Sequence, residues 1–502
     1  MMYIIYIIGA WLIVAWFYDK KRWDDEGISY HPFSDTSFAN PTRILKGNFW
    51  TNNSRLKETW RASKRNSLKF DNFTFSESFK RYISLLKFPF FKAAELFIPP
   101  ASFIESFLIF APQKGGKTTT LLSWLDSDFY DRAIVNEGKA GDISSKIFNK
   151  RKDIIFNSYD KRSHIWNILA EPVPIVEFYL INSLNAVTKD ASFFTNDAKD
   201  RYRQIAQLTM DIQDPKEKWN FFIDELEDMF KDIAAGDQRS AKDVASTMNL
   251  IIRPLRLSWY LINEGKPSFT IKDFFERKNQ AKLFMMMVDT YKVSLTPLFT
   301  AFTACVSMHH SSMDEYEATK SITFYVLDEF LDIELTIDAR KILHTKIRSK
   351  GGAVVSAMHK LPTDEQEATL LTSSGFGYMI FSVRDDKTRE FLDKKVGKTE
   401  YMVDKTLNGQ HQQYSKERNI LDWSEIDKLS ANNQHVTYIP ETGSLYAGKS
   451  DFKLYPKKQE PFIYDTRVDD FYRWENEQFL NKKNKTNAHN NAVGKFAAQS
   501  QK

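Results

Sequence analysis

A short glycine-containing loop joins an apolar run to a helical run between Ser106 and Thr120, where the sequence reads SFLIFAPQKGGKTTT. A loop that closes around phosphate oxygens needs glycine where backbone N–H groups converge and a helix amino end that supplies positive potential. It also needs a lysine for the terminal phosphates and a hydroxyl group for magnesium. Gly115, Gly116, Lys117 and Thr118 meet these demands. We therefore predict a nucleotide site that uses ATP and Mg²⁺; an ordinary basic turn is the alternative.

The first position of this loop departs from the usual glycine. Ala111 stands there, and the loop tolerates its methyl group only if the residue keeps a negative φ. The residues predicted to contact the nucleotide are Ala111, Pro112, Gln113, Lys114, Gly115, Gly116, Lys117, Thr118 and Thr119.

A second apolar run ends in two adjacent carboxylates. Ser321–Phe330 reads SITFYVLDEF, with Asp328 and Glu329 at its carboxyl end. In a nucleoside triphosphatase the first acid binds magnesium through water, together with the loop hydroxyl of Thr118, and the second polarises the attacking water. We predict these roles for Asp328 and Glu329, although strands also commonly end in an acid at the surface.

Two basic side chains follow the acid pair. Ala339–Lys350 is predicted to form a basic helix and Gly351–Ala357 a strand, after which His359 is a candidate sensor of the terminal phosphate. Arg348 is a candidate to reach a neighbouring subunit's nucleotide and stabilise transition-state charge. A solvated basic face and a satisfied histidine are the alternatives.

The elements around these residues indicate an α/β fold with a mostly parallel sheet, because short apolar runs alternate with helical stretches. The runs are Phe107–Phe110, Arg132–Val135, Asp153–Phe156, Ala281–Val288, Ile322–Leu327, Ala353–Ala357 and Tyr378–Val383. Glu177–Glu276 shows only helical spacing, which predicts an inserted all-helical domain.

The predicted organisation has five parts. They are a transmembrane helix at 1–18, a membrane-proximal stalk and entry segment at 19–95, a nucleotide-binding domain at 96–175 and 277–465, an inserted all-α domain at 176–276, and a mostly disordered tail at 466–502.

The amino terminus predicts a single-pass membrane protein. Met1–Tyr18 is uncharged and apolar, and at about 1.5 Å per helical residue it just spans a hydrocarbon core of roughly 30 Å. Lys20–Arg22 follow at once, which places the main body in the cytoplasm. The single cysteine, Cys305, agrees with a reducing compartment. A secretory signal is the alternative, but the basic segment and cleavage site that it needs are absent.

Several of these segments resemble the TraG/TraD group of type IV coupling proteins, the ATPases of bacterial conjugation and type IV secretion. The resemblance covers roughly 95–449, and its most specific part is IIFNSYDKRSHIWNIL, which looks like the family's strand, Asn, Asp-x-Arg and Trp-Asn segment. FFTNDAK and SAKDVASTMNLIIRPL resemble pieces of the family's all-α domain, and ARKILHTKIRSKGGAVVSAMHKL resembles its later helix and strand.

The resemblance implies a RecA-like P-loop NTPase in the bacterial inner membrane, working as a homo-hexamer. Its implied partners are single-stranded DNA with bound relaxase and components of a type IV secretion channel. Matched residue by residue, Lys117 and Thr118 are the loop pair, Asp328 and Glu329 the acid pair, and Arg348 the interface arginine. His359 replaces a usual glutamine and Asn136 a usual aspartate.

Three functions remain open at this point. The first is a DNA-pumping ATPase of conjugation, and the second is a coupling ATPase or receptor of the same build that recruits protein effectors. The third is a receptor whose altered nucleotide site no longer turns over, which Ala111, Asn136 and His359 motivate. The net charge of +5, from 70 basic and 65 acidic side chains, permits a polyanionic partner without arguing for one.

Overall fold

The computed structural model describes residues 28–29, 68–73, 94–98 and 106–478, apart from gaps at 114, 128, 188–195, 237–240, 330–334, 336, 374–376, 408–409, 422, 424–425, 428–433, 441–443 and 450–454. The strands are β1 (Ile28–Ser29), β2 (Leu68–Phe73), β3 (Ala94–Ile98), β4 (Phe107–Phe110), β5 (Arg132–Glu137), β6 (Ile154–Phe156), β7 (Ile165–Trp166), β8 (Ser268–Phe269), β9 (Ala281–Met286), β10 (Thr323–Asp328), β11 (Gly352–Met358), β12 (Gly377–Ile380), β13 (Lys398–Leu407), β14 (Gln410–Asn419), β15 (Gln434–Ile439) and β16 (Ser444–Lys449).

The helices include long elements and single turns. They are α1 (Lys117–Leu125), α2 (Ser144–Ile147), α3 (Val173–Val187), α4 (Asn196–Asp211), α5 (Pro215–Gly236), α6 (Ala241–Asn263), α7 (Ile271–Glu276), α8 (Lys292–Ser311), α9 (Tyr316–Thr319), α10 (Ile337–Lys341), α11 (Glu365–Ser373), α12 (Asp386–Val396) and α13 (467–478). A π-helical turn at Ile342–Lys346 and a 3₁₀ turn at Ile347–Lys350 continue α10.

The chain divides into two compact units. Unit 1 contains Met1–Phe129 and Val355–Lys453, and unit 2 contains Tyr130–Val354 and Leu454–Lys502. The domain boundaries predicted from the sequence, at 175/176 and 276/277, divide the chain differently and stay a prediction.

Unit 1 is built on a mixed sheet in the order β3-β2-β16-β15-β12-β4-β11, with β1, β13 and β14 forming a separate antiparallel sheet. β4 is parallel to both of its neighbours, so that Phe110 pairs with Met358 on one side and Ile380 on the other. Strands that are parallel have their carboxyl ends at one edge of the sheet. The loop after β4 and the residues after β11 therefore leave the sheet at the same edge.

The sheet of unit 2 is parallel throughout, in the order β10-β5-β9-β6. Every residue of these strands is buried, which explains why their central residues are apolar on both faces of the sheet rather than alternating. Leu327 pairs with Asn136, and Asn136 pairs with Met285. The ends of β10 and β5 are therefore adjacent.

A two-stranded sheet joins the two ends of the helical segment α3 to α6 of unit 2. β7 precedes it, β8 follows it, and the two strands pair in parallel. Glu171 strengthens this closure, because its Oε1 accepts hydrogen bonds from Trp166 Nε1 at 2.8 Å and from the Ile271 amide at 2.6 Å. Trp166 also packs edge-on against Phe302 of α8, with ring centroids 4.9 Å apart.

The last described part of unit 2 is the C-terminal strap, which we define as residues 455–478. Its helix α13 buries Val468 and Phe471, and Phe471 packs on Tyr260 with ring centroids 5.6 Å apart. The sequence predicted mostly disorder over 466–502, since polar residues outnumber these few apolar anchors. Helix α13 occupies 467–478, residues 479–502 lie outside the described residues, and the mostly disordered tail stays a prediction.

The prediction of a single-pass protein of the inner membrane is corrected. Within the part of the chain that the structure describes, no helix combines the length and the apolar character needed to cross a bilayer. The predicted transmembrane helix at Met1–Tyr18 itself lies outside the described residues.

Candidate functional site

The loop after β4 has the backbone that its glycines predict. Gly116 has φ 97°, in the left-handed region, and immediately precedes α1. A Cβ on Gly115 would lie 2.8 Å from Cδ of Pro112 and 3.0 Å from its carbonyl oxygen, which the Gly115 amide binds at 3.0 Å. Both glycines are therefore required, one for conformation and one for space.

The amino end of α1 has no side-chain cap. The cap residue is Gly116, and the first turn of the helix contains no acidic residue. The first N–H groups of a helix have no intrahelical partner, and the helix dipole adds positive potential there. Thr118 and Thr119 lie half-buried in this first turn. This end of unit 1 therefore has the electrostatics of an anion site.

Ala111 satisfies the steric condition set by its side chain. It is fully buried, its amide donates to the Met358 carbonyl at 3.2 Å, and it is not among the described residues with positive φ. The loop therefore accommodates a methyl group where glycine is usual, without backbone strain at that position.

Lys117 and His359 are brought together within unit 1, although 242 positions separate them. His359 Nδ1 lies 2.8 Å from the Ala111 carbonyl oxygen, and His359 Nε2 lies 3.2 Å from Lys117 Nζ. A carbonyl oxygen only accepts, so we assign the imidazole proton to Nδ1, and Nε2 then accepts from the lysine ammonium group. His359 thus connects the loop backbone to the loop lysine.

The acid pair stands at the end of β10 in unit 2. Asp328 is the last residue of the strand and is buried, whereas Glu329 is half-buried. Glu329 has φ 57°, a left-handed conformation that is uncommon for a residue with a side chain. Non-glycine residues in this region carry strain and concentrate at functional sites.

Neighbouring β5 ends in two polar residues that are also buried. Asn136 is 2% exposed, and its side-chain oxygen has no hydrogen-bond partner among the described residues. A buried polar atom without a partner is costly, unless a ligand or a water binds it. The structure therefore marks the end of β5 as a polar site.

Glu137 is a residue that the sequence analysis missed. Its carboxylate is fully buried and accepts hydrogen bonds from the Gly141 amide at 2.9 Å and from the Ile143 amide at 3.0 Å. The amide and hydroxyl of Ser144 donate to it as well. This carboxylate holds the loop 138–144 in place, and the only local signal was an acid followed by Gly-x-x-Gly.

The burial of Glu137 predicts a pH-dependent stability. Burial raises the pKa of Glu137 from 4.5 to about 7, against the opposing effect of its hydrogen bonds. Because burial penalises the charged form, the stability that Glu137 contributes is fully present below about pH 4.5, and it is lost as the pH rises to about 7. We expect the free energy of unfolding of the unsubstituted chain, relative to Glu137→Gln, to fall by about 3 kcal/mol across that window. Urea unfolding of both proteins at a series of pH values measures it, and a constant difference would refute the assignment.

Arg348 is exposed in the 3₁₀ turn that precedes β11. The segment predicted to be a basic helix is not a regular α-helix, because a π turn and a 3₁₀ turn follow α10. His344 in the π turn is buried, and burial lowers its pKa to about 3. Arg348 lies on the surface of unit 2, where the proposed contact with a neighbouring subunit's nucleotide stays a prediction.

The comparisons with known proteins identify the class. Residues 92–429 match the family described as type IV secretion-system coupling protein DNA-binding domain. This match spans more than half of the 502 residues, and the chain belongs to that family. The resemblance drawn from the sequence is thereby confirmed. No curated protein matches the chain.

Solved structures of the conjugative coupling protein TrwB share the fold. The unbound form of TrwBdeltaN70 is 18% identical with a TM-score of 0.55, over 73% of this chain and 90% of that one. TrwB with the GTP analogue GDPNP is also 18% identical with a TM-score of 0.55, over 79% and 97%. TrwB with ADP and Mg²⁺ is 18% identical with a TM-score of 0.52, over 80% and 99%. At this identity the likeness shows the mixed α/β fold alone.

Proposed function

We propose that this chain is an ATPase of bacterial conjugation that couples ATP hydrolysis to the transfer of DNA into a type IV secretion channel. The observation that carries the proposal is the uncapped amino end of α1, where Gly115 and Gly116 shape a loop beside Lys117. This arrangement suits a polyphosphate. The nucleotide complexes of TrwB, which has the same fold, support the choice of ligand.

The side chains present fit ATP and Mg²⁺. In unit 1, Lys117 would bind the terminal phosphates and the Thr118 hydroxyl would be a magnesium ligand. In unit 2, the buried carboxylate of Asp328 would bind the hydrated cation. The side-chain oxygen of Asn136, which has no hydrogen-bond partner among the described residues, suits the same polar surroundings at the end of the neighbouring strand. Magnesium neutralises charge on the phosphates. Glu329 would then polarise the attacking water.

The proposed assembly and partners follow from the family. We propose a homo-hexamer with a RecA-like motor, in which exposed Arg348 contacts the nucleotide of the adjacent subunit. The proposed cargo is single-stranded DNA with bound relaxase. The membership in a coupling-protein DNA-binding family supports this cargo.

The test is ATP hydrolysis by the full chain, with and without single-stranded DNA. We expect DNA to raise turnover and Glu329→Gln to lower kcat by about 100-fold, since a carboxamide does not accept a proton from water. Glu317→Gln, which changes an exposed carboxylate of the same unit, is the matched control and is expected to leave kcat unchanged.

The possible outcomes separate the three functions. Turnover that rises with DNA supports the conjugative motor. Turnover that is indifferent to DNA favours a coupling ATPase for protein effectors. Absence of turnover under every condition overturns the ATPase and leaves a receptor whose nucleotide site does not turn over.

A further inference from the structure

The backbone of Gly138 lies directly against the side chain of Glu329. A Cβ on Gly138 would be 2.4 Å from Cγ of Glu329 and 2.6 Å from its Cβ. Real Cβ atoms essentially never approach a neighbour this closely. Gly138 does not have a positive φ, so the position requires glycine for space and not for conformation. Any larger residue must displace either Glu329 or the loop that carries Gly138.

The loop that carries Gly138 is fixed on both of its sides. Two hydrogen bonds to Met287 flank Gly138: the Met287 amide donates to the Glu137 carbonyl at 3.1 Å, and the Ala140 amide donates to the Met287 carbonyl at 2.8 Å. After it, the Glu137 carboxylate holds the Gly141, Ile143 and Ser144 amides. The loop is therefore not free to move away from a side chain at position 138.

The C-terminal strap fixes the loop a second time. A Cβ on Gly141 would lie 2.3 Å from Cβ of Pro461, so the strap packs directly on the loop backbone. The amide of Lys458 donates to the Ser145 carbonyl at 2.8 Å, and Gln459 Nε2 donates to the Ser144 carbonyl at 3.2 Å. Crowding at Gly138 must then be relieved on the other side, at Glu329.

Glu329 has a backbone conformation that residues with a side chain rarely adopt. Its φ of 57° turns the chain sharply after β10, and a strained residue persists only where its surroundings determine it. One feature of these surroundings is the open space beside Gly138, which a side chain at that position would fill. From these contacts we propose that Gly138 is a positioning residue, which holds the Glu329 carboxylate in its working orientation. This inference rests on the proposed role of Glu329 in hydrolysis.

The test is Gly138→Ala in the full chain, with kcat, KM for ATP and the affinity for a fluorescent ADP analogue measured together. We expect kcat to fall by about 10- to 100-fold, because a displacement on the order of 1 Å at a reacting group has an effect of this size. KM and ADP affinity should change by less than about twofold, since Lys117 and its loop are untouched. A structural role alone would not separate kcat from KM in this way.

The matched control is Gly265→Ala. Gly265 belongs to the same unit, and a Cβ there would meet nothing within 4 Å, although its φ of 79° adds backbone strain. This variant carries the same chemical change without crowding Glu329, and we expect its kcat to equal that of the unsubstituted chain. An unchanged kcat in Gly138→Ala, or an equal loss of ADP binding, would overturn the proposal.

A second measurement separates this proposal from the proposed function. The midpoint of thermal unfolding should fall in Gly138→Ala. In the double variant Gly138→Ala/Glu329→Gly it should recover, because the side chain that the new methyl group crowds is gone. This recovery should exceed any gain that Glu329→Gly gives alone. If the chain lacks ATPase activity but shows this recovery, the proposed function fails and the contact stands. Without the recovery, Gly138 does not position Glu329.

Discussion

Lys117→Ala is expected to reduce ATP turnover by on the order of 1000-fold, the largest functional effect in the chain. The ammonium group is the one charged donor of the described loop between β4 and α1, and it lies buried beside His359 at the amino end of α1. Alanine removes that charge where the terminal phosphates would gather negative charge during hydrolysis. We also expect weaker binding of ATP, measured by titration with a fluorescent analogue.

Lys360→Ala is the matched control for this substitution. Lys360 follows His359 directly, but its side chain is exposed. We therefore expect Lys360→Ala to leave turnover and ATP binding unchanged. Circular dichroism of both variants checks that unit 1 stays folded. Turnover in Lys117→Ala within about tenfold of the unsubstituted chain would mean that the loop does not bind the reacting phosphates.

Lys266→Met is expected to lower the free energy of unfolding by about 3–5 kcal/mol, the largest effect on stability. The Lys266 side chain is 1% exposed, and its Nζ lies 2.8 Å from Asp465 Oδ2. The same Nζ donates to the Asp160 carbonyl at 2.7 Å and to Ser163 Oγ at 3.1 Å. Burial lowers the pKa of Lys266. Burial also works to raise the pKa of Asp465, but hydrogen bonds from Arg467 and Lys266 outweigh it and lower that pKa to about 2. Methionine keeps the bulk of the lysine side chain. Among the described residues, it leaves the buried Asp465 carboxylate with Arg467 as its only cationic partner.

An exposed ion pair provides the control for this effect. Arg253 and Glu475 join α6 to the C-terminal strap at 3.0 Å, with half of the arginine side chain exposed. Arg253→Met should therefore cost less than about 1 kcal/mol. In the double variant Lys266→Met/Asp465→Asn, part of the loss should return because the buried charge is removed as well. Urea unfolding of the full chain measures all of these, and equal losses in Lys266→Met and Arg253→Met would contradict the buried-pair account.

The sequence predicted the parallel strands and the phosphate loop because both depend on consecutive residues. Each predicted apolar run overlaps a strand of the structure, since buried parallel strands need apolar residues on both faces. The seven strands are β4, β5, β6, β9, β10, β11 and β12. The hairpin of β13 and β14 was missed, because KTEYMVDKTL and QHQQYSKERN contain few apolar residues and show no strand pattern. Their pairing comes from the chain turning back on itself, as Lys398 aligns with Asn419 and Leu407 with Gln410.

The sequence by itself determined the type of site, because Gly115, Gly116, Lys117 and Thr118 are adjacent and the chemistry of each follows from its residue type. The tertiary structure alone decided what surrounds the site residues. The pairing of Lys117 with His359 follows from the parallel register of β4 and β11. The contact of Gly138 with Glu329 follows from the adjacency of β5 and β10, and the C-terminal strap reaches loop 138–144 from more than 300 positions away. Contacts between distant segments depend on sheet order and packing, which composition and local periodicity do not encode.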